Sequence, residues 1–427
     1  MQKTHENQPS DSEFSRCAVP ASARKTYFSL TIVWTGFVFV ITSMMAGGGL
    51  AAGMDFKHII CATLGGNLFL SVIAVLISII ACRTGLTFAL LTRYSFGSSG
   101  SRVASLFVPL VNLGWYTIQA ATYGHFIAQV FHLGSLGEGL CMAASAIIMG
   151  IFAMFGISAI TILGYVAIPA IVFLSIATAI RSVDALGGVS QLFAYTPSGH
   201  ISLFSGITAV IGTWILSTAT CIADIMRYAK DTRSAVAATL TGLLGGNILM
   251  IVCGAIAAIV MNNSDLTVIL LGFGLVIPSL ILMTTNIFTT NAANLYSTSL
   301  NLSNAFCMDR RKMLAVLLAF SALATLTRPY EVDFLLGFLN ILGVLVPPLS
   351  GIILADYFLI HKGRYPDYPQ ASFRRWNPVP WATWAVSLIL VYWIPAGLPS
   401  INGMLLGILI YTFFTYWAGR KRPAPRK

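Results

Sequence analysis

Runs of about 20 apolar residues, the length of helix that crosses the hydrocarbon of a bilayer, recur in this chain from Tyr27 to Trp417 with short polar breaks between them. A chain built this way cannot bury its apolar surface as a water-soluble core. Of its 427 residues 57% are hydrophobic and only 9% charged, against about 25% charged in a soluble domain. Twelve stretches can be drawn, at 27–50, 57–81, 102–131, 138–155, 157–180, 202–226, 235–261, 268–302, 313–327, 332–360, 379–397 and 400–418. The fourth and fifth share one run, Cys141 to Ile180, which at about 1.5 Å per residue is twice the bilayer core. A turn at Phe155-Gly156-Ile157-Ser158 is expected to divide it. The first stretch lacks a small-residue cleavage pattern, so it reads as a retained helix and not a signal peptide.

The formal charge of +11 suggests an anionic partner until the positions of the charges are considered. With the N-terminus inside, 22 of the 25 Lys and Arg fall in inside segments, and only Lys57, Arg181 and Arg328 fall outside. Such a bias in short loops sets topology and places both termini in the cytoplasm. Nucleic-acid binding is therefore a poor reading of the basicity. The seven cysteines are scattered through apolar sequence with no CxxC or Cys/His spacing, which reads as small core residues and not as a metal or redox centre.

Extended polar segments are confined to an N-terminal tail (1–26), a loop near His361–Val379 and a basic tail (419–427), leaving one transmembrane domain over 27–418. Paired features suggest that it contains a repeat. Trp34-Thr35-Gly36 and Gly212-Thr213-Trp214 are both expected interruptions, and Gly36 and Gly212 lie 176 residues apart. The polar mid-helix positions Trp115 and Asn291 have the same separation, while Pro169 precedes Pro347 and Pro348 by 178 and 179. A five-helix unit used twice, about 27–181 and 202–360, with two helices appended at 379–418, would account for these offsets. An odd repeat inverts topology. Glycine clusters also serve packing alone, so the argument rests on the agreement of the three offsets.

All 14 acidic residues can be placed in loops, tails or helix ends, Asp224 and Asp356 at inner ends. A coupling proton usually rides on a buried Asp, Glu or His, so sodium is the expected coupling ion. His125 is the single candidate inside a stretch, about 15 Å beyond Trp115 along the helix, and reads as interfacial. Sodium can be held by hydroxyls and freed carbonyls. In the eighth stretch Asn286, Thr289 and Thr290 stand at i, i+3 and i+4 on one face, where the Asn286 carbonyl and the two hydroxyls could meet carbonyls from an unwound first helix near Gly36 and Val40. The threonines could equally back-bond to their own helix.

A planar heteroaromatic ring needs aromatic faces and amide edges. Trp115 and Gln119 lie one turn apart, Asn112 precedes Trp115 by one turn, the sixth stretch adds Thr213 and Trp214, and the eighth adds Asn291 and Asn294. Packing of indoles and amides between helices is the competing explanation for any one of them. There is no intramembrane His/Glu metal motif or partnered nucleophile to indicate a membrane enzyme, and no repeated filter sequence to indicate a channel.

Several segments resemble the nucleobase:cation symporter-1 (purine/cytosine permease) family. They include Val19-Pro20-Ala21-Ser22-Ala23-Arg24-Lys25, Thr84-Gly85-Leu86-Thr87, Arg93-Tyr94-Ser95-Phe96-Gly97, Phe155-Gly156-Ile157-Ser158-Ala159, Ala223-Asp224 with Arg227, Thr289-Thr290-Asn291, Leu295-Tyr296, and Pro347-Pro348 followed by Ala355-Asp356-Tyr357. The resemblance implies an all-α inner-membrane fold of inverted five-helix repeats, with helices 1, 2, 6 and 7 packed against a scaffold of 3, 4, 8 and 9 and with 5 and 10 as gates. It implies uptake of a small nucleobase by cation symport. The family's stacking aromatics fall on Trp115 and Trp214, its polar contacts on Asn112, Thr213 and Asn291, and its sodium ligands on Gly36, Val40, Asn286, Thr289 and Thr290. Two positions depart from the cytosine-transporting members, which carry Phe at 214 and Gln at 112. Gln119 looks more like the hydantoin and allantoin members, so a hydantoin-type ring or a thiamine-precursor pyrimidine is the alternative substrate.

Overall fold

A helix crossing a bilayer satisfies its backbone N–H and C=O groups internally, and the apolar stretches are helical in the structure, a computed structural model. It describes residues 14, 17–154, 157–263, 266–272, 274, 276–306, 308, 310–394 and 396–420. Phe155 and Gly156, where a turn is expected, lie outside these, as do most of the N-terminal tail and residues 421–427 of the basic tail.

The first stretch is α1 (Tyr27–Val38) and α2 (Ile41–Ala51), followed by α3 (Phe56–Thr84). Two short helices, α4 (Phe88–Phe96) and α5 (Gly100–Ser105), lead into α6 (Phe107–Val130), α7 (Ser135–Met154) and α8 (Ile157–Leu186). After α9 (Val189–Phe193), the sixth stretch is α10 (Leu203–Ala219) with α11 (Cys221–Met226). The seventh is α12 (Thr232–Gly242) and α13 (Ile248–Met261), joined by a π-helical turn at Leu243–Asn247. Next come α14 (Leu266–Gly272), α15 (Val276–Phe306), α16 (Arg310–Thr325), α17 (Val332–Leu345) and α18 (Pro347–Leu354), the last continued by a second π-helical turn at Ala355–Ile360. Finally, α19 (Pro378–Trp393) and α20 (Pro399–Arg420) close the chain.

Among the described residues five segments are long and apolar enough to cross a membrane: Phe56–Thr84, Gly100–Val130, Thr232–Met261, Val332–Ile360 and Pro399–Ala418. The pair α1 and α2 passes only when taken together, as a span bent by 48°. The expected stretch at 268–302 is not one helix, because Gly274, at φ +68°, separates α14 from α15.

Helix packing sorts the chain into the two groups that the resemblance implies. Helices α1, α2, α3, α10, α12 and α13 pack on one another, and α6, α7, α15 and α16 do the same. Within the first group α2 against α13 is matched by α10 against α3, the exchange expected if the first and sixth stretches, and the second and seventh, are equivalent. The α2–α13 approach depends on Gly254, where a β-carbon would overlap the Met44 backbone. Helix α8 bridges α13 and α15, α17 lies on α10, and α20 packs on α18 and α19.

The segments expected on the inside meet at one end. Arg24 donates to the carbonyls of Cys82 and Ala229, each at 2.8 Å, and Lys25 N–H reaches the Tyr228 carbonyl at 2.6 Å. The end of the expected polar tail is therefore docked on the bundle. On the same side Arg93 donates to Tyr368 Oη at 2.6 Å, and Ser98 and Ser99 donate their N–H groups to the carbonyls of Arg374 and Arg375. Buried Asp356 accepts from Tyr365 and Tyr411 at 2.8 and 2.7 Å. At another helix end His125 Nδ1 lies 2.8 Å from Glu138, its ring stacks on Tyr330 at 4.2 Å, and Arg328 reaches the same carboxylate at 3.7 Å.

Candidate functional site

The first stretch breaks at Phe39 and Val40. Val40 is extended at φ −128° and ψ 142°, so the Ile41 N–H cannot reach the Phe37 carbonyl as it would in a continuous helix. It donates instead to Asn286 Oδ1 at 2.9 Å, while Asn286 Nδ2 donates to the Phe39 carbonyl at 3.1 Å. One buried amide from α15 thus serves both faces of the break. An unserved N–H or C=O at that depth would cost about 1–3 kcal/mol each.

The expected cation ligands fall at different places around this break. Val40 is at the break, with its carbonyl accepting Ser43 N–H at 3.1 Å. Gly36 is not at the break, because it lies inside the last turn of α1. Asn286 reaches the break through its side chain, whereas its backbone carbonyl takes the Thr290 hydroxyl at 3.0 Å. Thr290 therefore back-bonds, which still leaves its oxygen lone pairs for a cation. The side chain of Thr289 lies outside the described residues. The donor set is uncharged oxygen at a helix break, and such a set suits a hard monovalent cation.

The sixth stretch is not interrupted where expected. Helix α10 runs through Gly212, Thr213 and Trp214, and the irregular residue is Thr220, at φ −131° and ψ −72°. Gly212 is a packing residue, since a β-carbon there would overlap the Leu339 backbone. Trp214 is buried and meets Trp34 and Phe37 edge-on, at centroid distances of 6.1 and 5.5 Å. Its Nε1 donates to Ser43 Oγ at 3.2 Å. Trp115 is half-buried and edge-on to Phe338 of α17 at 5.2 Å. Among the described residues the two indoles make no ring contact with each other.

Two amide oxygens near Trp115 are unsatisfied. Asn291 donates from Nδ2 to the Tyr116 carbonyl at 3.1 Å and lies 3.4 Å from Met149 Sδ, yet its Oδ1 is buried without a partner. Gln119, one turn beyond Trp115, has a buried Oε1 in the same condition. Asn291 is thereby tied to the α6 backbone at Tyr116, three residues before Gln119. Asn112 is buried one turn before Trp115, and Asn294 is buried one turn beyond Asn291. Tyr116 itself is locked by its hydroxyl to the Ala146 carbonyl of α7.

Sequence reasoning missed a buried network beneath Trp214. Ser43 donates to Asn247 Oδ1 at 2.7 Å, and Asn247 Nδ2 donates to Asn67 Oδ1 at 2.9 Å and to Thr213 Oγ1 at 3.2 Å. Thr213 in turn donates to the Val210 carbonyl at 2.6 Å. Its proton and one lone pair are engaged inside the protein, so Thr213 ties α10 to this network. A signal was available: Asn67 and Asn247 are uncharged amides in apolar stretches, 180 residues apart.

The family described as permease for cytosine/purines, uracil, thiamine and allantoin matches residues 18–417. This chain belongs to that family. The cytosine permease of Escherichia coli (strain K12) is 32% identical to this permease over 414 residues, 97% of each chain. The hydantoin permease of Microbacterium maritypicum is 23% identical, covering 93% of this chain and 87% of its own. Among solved structures the inward-facing conformation of Mhp1 superposes at a TM-score of 0.80 with 20% identity over 96% of each chain. Mhp1, described as a nucleobase-cation-symport-1 family transporter, also superposes in a closed conformation with bromovinylhydantoin bound, at 0.78 and 20% identity over 96% of each chain. A Na+-coupled sialic acid symporter superposes at 0.63 with 12% identity, covering 98% of this chain and 93% of its own. These likenesses establish the fold, and this permease is a multi-pass membrane transporter and not an enzyme.

Proposed function

We propose that this permease imports a neutral nucleobase, a cytosine-like pyrimidine or a purine, across the bacterial cytoplasmic membrane by symport with sodium. The observation that carries the reading is the pair of buried, partnerless oxygens, Gln119 Oε1, one turn after Trp115 along α6, and Asn291 Oδ1, on the amide that donates to the Tyr116 carbonyl. Two acceptors beside an aromatic face call for a flat ligand with N–H donors on its edge. A nucleobase presents such an edge, and no fixed charge among these residues favours an ion.

Sodium is supported by the break at Val40, the Asn286 brace and the Thr290 hydroxyl, which offer oxygens without net charge. Glu138, Asp224 and Asp356 lie at helix ends and already accept hydrogen bonds. The charge bias of the loops supports cytoplasmic termini. A hydantoin-type ring is the second reading, favoured by Trp at position 214 and by Gln119, since a cyclic ureide also offers N–H groups to paired acceptors.

Uptake into proteoliposomes decides between them and tests the whole reading. Radiolabelled cytosine should accumulate under an inward sodium gradient and be displaced by its own unlabelled form. Accumulation of hydantoin with no uptake of cytosine would establish the second reading. No accumulation of any base or hydantoin under any cation gradient would remove both.

A further inference from the structure

We infer that Asn247 is a positioning residue for substrate, acting through Ser43 on the plane of the Trp214 indole. The inference rests on the reading of Trp214 as a stacking face. Its basis is the polarity of one hydrogen-bond chain. An indole N–H can only donate. Ser43 Oγ accepts it at 3.2 Å and must send its own proton elsewhere, which it does to Asn247 Oδ1 at 2.7 Å. Asn247 is held in turn through Nδ2 by Asn67 Oδ1 and Thr213 Oγ1, and Asn67 Nδ2 is anchored on the Thr63 carbonyl at 2.9 Å. Each amide orientation is dictated by the next partner, so reversing one would set oxygen against oxygen.

Ser43, Asn67, Thr213 and Asn247 are all buried, and they come from α2, α3, α10 and the π-helical turn that ends at Asn247. A π-helical turn carries one extra residue within the helix, and here it sets the amide against α2, α3 and α10. The aromatic neighbours Trp34 and Phe37 meet the indole edge-on. They confine it without selecting one rotation of the ring, and the Ser43 bond supplies that selection.

A double-mutant cycle on the full-length permease in proteoliposomes separates positioning from simple stability. Phenylalanine has no ring N–H, so a Trp214→Phe protein lacks the link through which Asn247 acts. Asn247→Ala should weaken cytosine binding by about fivefold in the Trp214 protein and by less than about twofold in the Trp214→Phe background. Ser43→Ala removes the same link while leaving the bonds of Asn247 to Asn67 and Thr213 in place. It should reproduce that pattern and keeps the test decisive if Asn247→Ala does not fold. Equal losses in the two backgrounds for Ser43→Ala would overturn the inference. A parent protein that binds no cytosine, or binding untouched by Trp214→Ala, would instead overturn the functional reading beneath it.

Discussion

Ile41 donates its backbone N–H to Oδ1 of Asn286, a residue 245 positions further along the chain, at 2.9 Å. The contact ties the broken α1–α2 span, in the group of α1, α2, α3, α10, α12 and α13, to α15, which belongs to the other group and also carries Asn291. A change in how α1 and α2 meet is therefore felt directly on the helix that holds a candidate substrate contact.

Replacing that brace should be costly. Asn286→Ala leaves the Ile41 N–H and the Phe39 carbonyl without partners and should lower stability by about 2–6 kcal/mol in total, at 1–3 kcal/mol for each group. Thermal unfolding in detergent reads the loss. Asn286→Asp should also be poor, because it retains an acceptor for Ile41 but turns a carboxylate oxygen toward the Phe39 carbonyl. An alanine variant as stable as the parent would mean that water serves the break instead.

Sodium coupling is expected to depend on the α15 hydroxyls. Thr289→Ala and Thr290→Ala should each weaken sodium dependence by an amount on the order of 1–3 kcal/mol, roughly 5- to 150-fold in the half-saturating concentration. The measurement is base uptake against external sodium at fixed membrane potential. Uptake indifferent to sodium that collapses when the proton gradient is dissipated would assign the coupling ion to the proton.

Ring recognition divides between stacking and edge contacts. Trp115→Ala should abolish measurable binding by removing a face worth roughly 0.5–1.5 kcal/mol beyond its buried area. Asn291→Ala and Gln119→Ala should instead reorder preference in a competition series of cytosine, uracil, hypoxanthine, hydantoin, allantoin and uridine. Uridine should compete poorly if the site is sized for a bare ring. Uridine competing as well as the free bases would contradict a closed, ring-sized site.

Topology gives a fourth outcome. An alkaline-phosphatase fusion at Lys427 should be inactive and a fusion in the loop at 131–134 active, as required if the basic segments face the cytoplasm. The reverse pattern would invert the chain.

Membrane class, helical stretches and charge asymmetry were legible in the sequence because each depends on local composition alone. That Gln119 and Asn291 are polar positions inside apolar stretches was legible too, but that each keeps a buried oxygen without a partner was not. What the tertiary structure decided was which partner each group meets. Gly212 reads as a break and proves to be a packing contact, because the two roles differ only in whether another backbone, that of Leu339, lies against it. The interruption belongs to Val40 and not to Gly36, because the amide that stabilises it arrives from Asn286, far along the chain. The bond that Thr213 accepts from Asn247 was hidden for the same reason. Helical spacing determines which residues of one segment share a face, but hydrogen bonds between segments depend on which helices touch and at what height, and only the folded packing sets those.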